Sequence, residues 1–153
     1  MGTLRRMGSD RYLVISSDCH GGGDIPDYRP YLPTQYQAEF DAWAAAFVNP
    51  YEDLKGELGP RNWDSDRRLA DMEADGVVAE VIFPNTIPPF FPKTSLTNQV
   101  PAVNEGDLQR RWVGLQAHNR WLADFCAKTP GRRAGIAQIM LHLSLIHISE
   151  PRD

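Results

Sequence analysis

Cysteine is nearly missing: Cys19 and Cys126 are the only two in 153 residues, far apart and without metal-finger spacing. That excludes a disulfide-stapled scaffold and a zinc ribbon, and free thiols suit a reducing cytoplasm, the expected location. No apolar run is long enough to span a bilayer. The start, Met1-Gly-Thr-Leu-Arg-Arg-Met7, has two arginines but lacks the apolar segment of a signal peptide. Strong charge of one sign is also missing. Lys and Arg number 16 against 20 Asp and Glu, a net charge of −4, and no basic run interleaves with aromatics. Neither nucleic acid nor a membrane is therefore an expected partner. There is no internal repeat.

Proline and glycine, by contrast, are plentiful at 12 each, and they gather at 21–33, 56–60 and 84–101, which marks these as loops. With 42% hydrophobic and 24% charged residues, the chain suits one globular domain or a piece of a larger one.

The most informative stretch is Tyr12-Leu-Val-Ile-Ser-Ser-Asp-Cys-His-Gly-Gly-Gly23, a β-branched run that breaks into Asp18-Cys19-His20 and then three glycines. Residues i and i+2 of a strand point to one side, so Asp18 and His20 present a carboxylate and an imidazole together at a strand end. That pairing suits a divalent metal. The other reading is a strand-end turn, with Asp18 capping a loop amide and His20 bonded to backbone. Cys19 faces the opposite side, as a structural thiol.

Helical spacing of Tyr36, Phe40, Trp43 and Phe47 predicts a helix over 34–48, with Thr34 as N-cap. A second helix is expected over 65–75, with Leu69 and Met72 inward and Gly76 as its stop. Val77–Phe83 reads as a buried strand ended by Pro84. After the proline-rich loop 84–92, Leu108, Trp112, Leu115, Leu122 and Phe125 predict a long helix at about 107–128, closed by Pro130-Gly131. A third strand is expected over 133–141. Strand and helix in alternation predict a parallel α/β sheet with crossover helices, whose chemistry gathers at the C-terminal strand ends. Asp18, His20 and the loop after Pro84 all lie at such ends. Phe90 and Phe91 either wall a substrate pocket there or anchor the loop to the core. His118 is expected on the surface or in helix packing. Trp112 needs no functional account.

Ser17-Asp18-Cys19-His20, then Arg68-Leu-Ala-Asp-Met-Glu-Ala-Asp-Gly-Val-Val-Ala-Glu-Val-Ile-Phe-Pro-Asn85, resembles the amidohydrolase-related family. This is the branch of the amidohydrolase superfamily that includes aminocarboxymuconate-semialdehyde decarboxylase and the resorcylate decarboxylases. His118-Asn-Arg-Trp-Leu-Ala-Asp-Phe-Cys-Ala-Lys-Thr-Pro-Gly-Arg-Arg-Ala-Gly-Ile-Ala137 is similar to its next helix and strand, so the likeness covers 12 to about 142. It implies a TIM barrel holding one divalent metal, usually zinc, with Asp18 and His20 at the two places of the family's first ligand motif. The family's later ligands, a histidine and an aspartate, have no counterpart in this chain. The implied activity is hydrolysis, or non-oxidative decarboxylation, of a small organic or aromatic acid. Asn85, Phe90 and Phe91 become substrate-loop candidates, the catalytic base stays unassigned, and a homo-oligomer is open to the parent enzyme.

A (β/α)₈ barrel takes eight strands and roughly 250 residues, whereas the pattern yields about three parallel strands with crossover helices, a partial TIM barrel. Leu143-Ser-Leu-Ile-His-Ile-Ser-Glu-Pro151 matches the translation of a common transposase-type sequencing adapter in one reading frame. Residues 1–142 are accordingly read as the N-terminal part of a barrel and 143–153 as a non-native tail, which removes His147 from the ligand candidates; His142, on its border, is set aside too. The expected chain is a truncated enzyme, inactive alone. The alternative is a small, complete, non-catalytic α/β binding module without metal.

Overall fold

The computed structural model describes residues 12–92 and 100–140. The outer part of the expected third strand, His142, His147 and the expected tail at 143–153 lie outside the described residues. The fold is mixed α/β. Strand β1 (Val14–Gly21) leads through a 3₁₀ segment (Ile25–Tyr31) into helix α1 (Thr34–Ala46). Two short 3₁₀ segments, Glu52–Leu54 and Gly56–Asn62, precede helix α2 (Ser65–Asp75) and strand β2 (Val77–Pro84). Helix α3 (Glu105–Ala127) and strand β3 (Arg133–Gly135) complete the order. The strands form one parallel sheet, β1-β2-β3.

Helix α2 has the bounds its sequence predicts. Asp64 caps it by accepting from the backbone N–H of Asp66 and Arg67, each at 3.0 Å, and Gly76 ends it in the left-handed region at φ 72°. Met72 is buried as expected, while Leu69 is half-buried. Helix α3 starts two residues before the expected 107, because the Asn104 side chain accepts from the Asp107 N–H at 2.9 Å. Helix α1 is shorter than 34–48. Pro33 holds the capping position without a side-chain bond, Thr34 is already helical, and Phe47 is extended.

The third strand is much shorter than 133–141. Its ladder stops one step past Gly135, with the Ile136 N–H on the Ile82 carbonyl at 2.9 Å. Beyond it the Asn119 amide on α3 takes over, accepting from the Gln138 N–H at 3.0 Å and donating to the Gln138 carbonyl at 2.8 Å. A side chain thus supplies the bonds a neighbouring strand would give. The second strand is buried on one side only. Glu80 and Ile82 face the helices, while Phe83 is 38% exposed.

The main core joins Tyr28, Phe40, Ile82, Phe90, Trp121 and Phe125 between the sheet and the helices. The loop after β2 comes so close to α3 that a Cβ on Gly114 would lie 2.1 Å from the Pro89 carbonyl oxygen. Among the described residues the opposite sheet face is open, with Ile15, Phe83 and Ile136 exposed on it.

Candidate functional site

Strand β1 does not run in step with β2. Ser16 pairs with Glu80 and Cys19 with Ile82, so β1 uses three residues where β2 uses two. This bulge brings Ser16 and Cys19, an odd distance apart, to the same helix-facing side, where the Cys19 thiol donates to Ser16 Oγ at 3.0 Å. From Asp18 on, alternation is regular. Asp18 and His20 are both exposed and Cys19 between them is half-buried. His20 pairs with Phe83 across the sheet, their rings 6.2 Å apart.

The structure therefore brings the two predicted ligands to one side of a strand end. A carboxylate and an imidazole fit a zinc ion in donor type. They do not complete a site: no group of three or more His, Cys, Asp or Glu side chains is gathered for a metal among the described residues.

Asn85 sits beside this strand end. Its backbone N–H donates to the Gly21 carbonyl at 3.3 Å, and its side-chain amide donates to Asn62 Oδ1 at 2.6 Å. Phe90 and Phe91 are buried. Phe90 holds φ 68°, unusual for a bulky residue, and packs against Tyr36, Phe40 and Trp43 of α1 with ring centroids 6.0–6.4 Å apart. Phe91 belongs to a second cluster with Ile87, Leu115 and Met140. Their packing is that of loop anchors. Two surface grooves stand out, of about 620 and 270 Å³. The larger is lined by Tyr31, Trp63, Trp121 and Lys128 among others, the smaller by Ser16, Cys19, Arg68 and Glu80 among others, and neither includes Asp18, His20 or either phenylalanine.

Behind the strand end lies an ionic cluster that the motif reading overlooks. Glu80, at 3% exposure, accepts from Arg68 Nε at 2.8 Å and from Arg133 Nε at 3.1 Å. Arg133 also donates to the Ser65 hydroxyl and carbonyl at 2.8 and 2.9 Å, and its guanidinium lies 4.5 Å over the Phe125 ring. Burial disfavours a charged Glu80, but the bond and charge of Arg68, the Cys19 thiol and the charge of Arg133 together hold its carboxyl below the usual value. The signal was present in the sequence: a glutamate at an inward position of an apolar strand needs a cationic partner.

A second buried group lies behind the loops. The Tyr28 hydroxyl accepts from the Gly23 N–H at 2.8 Å and shares a 2.5 Å hydrogen bond with Thr86 Oγ1. His118, fully buried, stacks on the Tyr28 ring at 5.5 Å, and neither imidazole nitrogen has a hydrogen-bond partner among the described residues. Of the two places expected for His118, helix packing is the one found.

Compared with protein families, curated proteins and solved structures, the chain matches none. Among the described residues no helix is long and apolar enough to cross a membrane.

Proposed function

We propose that this chain is the N-terminal part of a metal-dependent (β/α)₈-barrel enzyme of the amidohydrolase type, a hydrolase or non-oxidative decarboxylase of a small organic acid. One observation carries the reading: Asp18 and His20 stand exposed on one side of a parallel strand, at its C-terminal end, where α/β folds keep their chemistry. The open sheet face, and the outer side of β1, which pairs with no strand among the described residues, suit the beginning of a barrel, whose interior would be that face. When bound, a divalent ion would act as Lewis acid, lowering the pKa of a water to about 7 or polarising a substrate oxygen. Asp18 and His20 would hold it. The Arg68 bond to the His20 carbonyl, 2.8 Å long, fixes the backbone beneath the imidazole.

The test has two parts. Zinc added to the 153-residue chain should shift the His20 imidazole resonances selectively, and Asp18→Ala should abolish that response. In a gene extended into the remaining strands, Asp18→Ala or His20→Ala should remove both bound metal and metal-dependent turnover. Full metal content and turnover in both variants would overturn the proposal. A cooperatively melting chain indifferent to zinc would instead support a non-catalytic binding module.

A further inference from the structure

We propose that Tyr28 is a latch that holds together the loops leaving β1 and β2, and that His118 behind it makes the latch open in acid. The proposal concerns regulation of the strand ends that carry the candidate metal pair, and its bearing on catalysis rests on that reading.

The latch is visible in the bonds of one hydroxyl. Tyr28 is fully buried, and its oxygen reaches the Gly23 N–H at 2.8 Å and Thr86 Oγ1 at 2.5 Å. Gly23 lies three residues past His20, and Thr86 two past Pro84, the last residue of β2. The same two loops also touch directly. A Cβ added to Gly22 would lie 2.1 Å from Thr86 Oγ1, so there is no slack between them. One phenol therefore ties the two strand exits together beyond the end of the ladder.

His118 supports that phenol from α3. The two rings stack at 5.5 Å with planes 29° apart, and both nitrogens of the imidazole are buried without a hydrogen-bond partner among the described residues. A neutral ring tolerates this place at the cost of one unsatisfied N–H and one unsatisfied acceptor nitrogen. A protonated ring would bury a charge with two unsatisfied donors, which is far costlier. No charged group among the described residues compensates. The titratable group in contact from the 3₁₀ segment is the Tyr28 phenol; Asp24 and Asp27 act on that phenol and not on the imidazole. On α3 the adjacent group is the neutral Asn119 amide, and no charged side chain of the helices, the sheet or the loop after β2 acts on the ring among the described residues. Burial accordingly pulls the His118 pKa down to about 4, against a smaller opposing effect of Asn119. An opening that exposes the ring takes up one proton between the ordinary histidine value and this one, so it becomes about tenfold more populated per pH unit across that interval.

The experiment is amide hydrogen exchange on the full chain between pH 7 and 4, corrected for intrinsic rates, with the His118 ring followed by NMR. No metal is added, so a failure of the metal reading and a failure of the latch are told apart. Gly23 protection should fall about tenfold per pH unit below pH 6.5, ahead of the Ile136 amide in the sheet ladder. His118→Phe keeps a flat ring on Tyr28 without a proton to gain, and should hold Gly23 protection constant. If that variant does not fold, Tyr28→Phe serves: Gly23 protection should be low at every pH while the sheet amide keeps its own. A His118 midpoint near 6.5, acid loosening that persists in His118→Phe, or loss of Gly23 and Ile136 protection in a single step would each overturn the proposal.

Discussion

Arg68 joins His20 to the middle of the neighbouring strand: its Nη1 donates to the His20 carbonyl at 2.8 Å while Nε and Nη2 grip the Glu80 carboxylate. Only a planar guanidinium divides its donors this way. Arg68→Lys keeps the charge and loses the fork, and should destabilise the fold by about 1–3 kcal/mol, read from urea unfolding. The same variant should shift the Gly21 and Asn85 amide resonances, since both sit on the backbone that Arg68 steadies. An unchanged urea midpoint would show the fork to be dispensable.

Among the described residues Glu80 is the one carboxylate that pairs with both the buried Arg133 and the half-buried Arg68. Glu80→Gln leaves Arg133 without a counter-charge and should cost about 3–5 kcal/mol. Adding Arg133→Met should recover part of the loss, because the uncompensated charge goes with it. A double variant as unstable as the sum of its parents would mean that the cost lies in packing alone.

Among the groups that shape the acid response, His118 and Glu80 act in separate windows. His118 has a lowered folded pKa, so its neutral form contributes stability above the ordinary value of 6.5 that is lost as pH falls towards about 4. Glu80 also has a lowered folded value, so its contribution is present above the ordinary 4.5 and is lost only below it. Stability should therefore decline in two stages on acidification. His118→Phe should remove the upper stage and leave the lower, as measured by chemical denaturation at stepped pH. A single decline confined below pH 4.5 in the parent chain would refute the histidine contribution.

Phe90 tests whether the loop after β2 is an anchor. Buried among Tyr36, Phe40 and Trp43, it should cost about 3–5 kcal/mol on truncation to alanine. Melting temperature reports this directly. A change near zero would return Phe90 to the pocket-wall reading.

How much of this was legible follows from what each element depends on. Helix α2 depends on local chemistry, an aspartate before it and a glycine after it, and its bounds could be read directly. The parallel sheet follows from alternation of strand and helix. What could not be read depends on tertiary partners. The third strand shortens because Asn119, nineteen residues before Gln138, takes its backbone bonds. The bulge in β1 needs the register against β2 to be seen. Tyr28 lies in a proline-rich stretch with no periodicity, and its partner Thr86 is 58 residues away. Asp18 and His20 could be named from spacing alone, but the guanidinium beneath them could not.

Between Ser16 and Cys19 the bulge gives β1 a spare residue, which offsets the one it lacks between Val14 and Ile15, where the partners are Val77 and Ala79. Upstream, Ser16 is locked to Glu80; downstream, Cys19, His20 and Gly21 are locked to Ile82, Phe83 and Pro84. Between the two anchorages lies one residue more than the ladder requires, and Ser17 can be removed without turning any of its neighbours over. Loss of Ser17 would leave Ser16 and Cys19 two apart and still facing the helices, with Asp18 and His20 still on the open side. The strand thus carries its own expansion joint, which lets the length ahead of Asp18 vary by one residue while the carboxylate and imidazole keep their common aim.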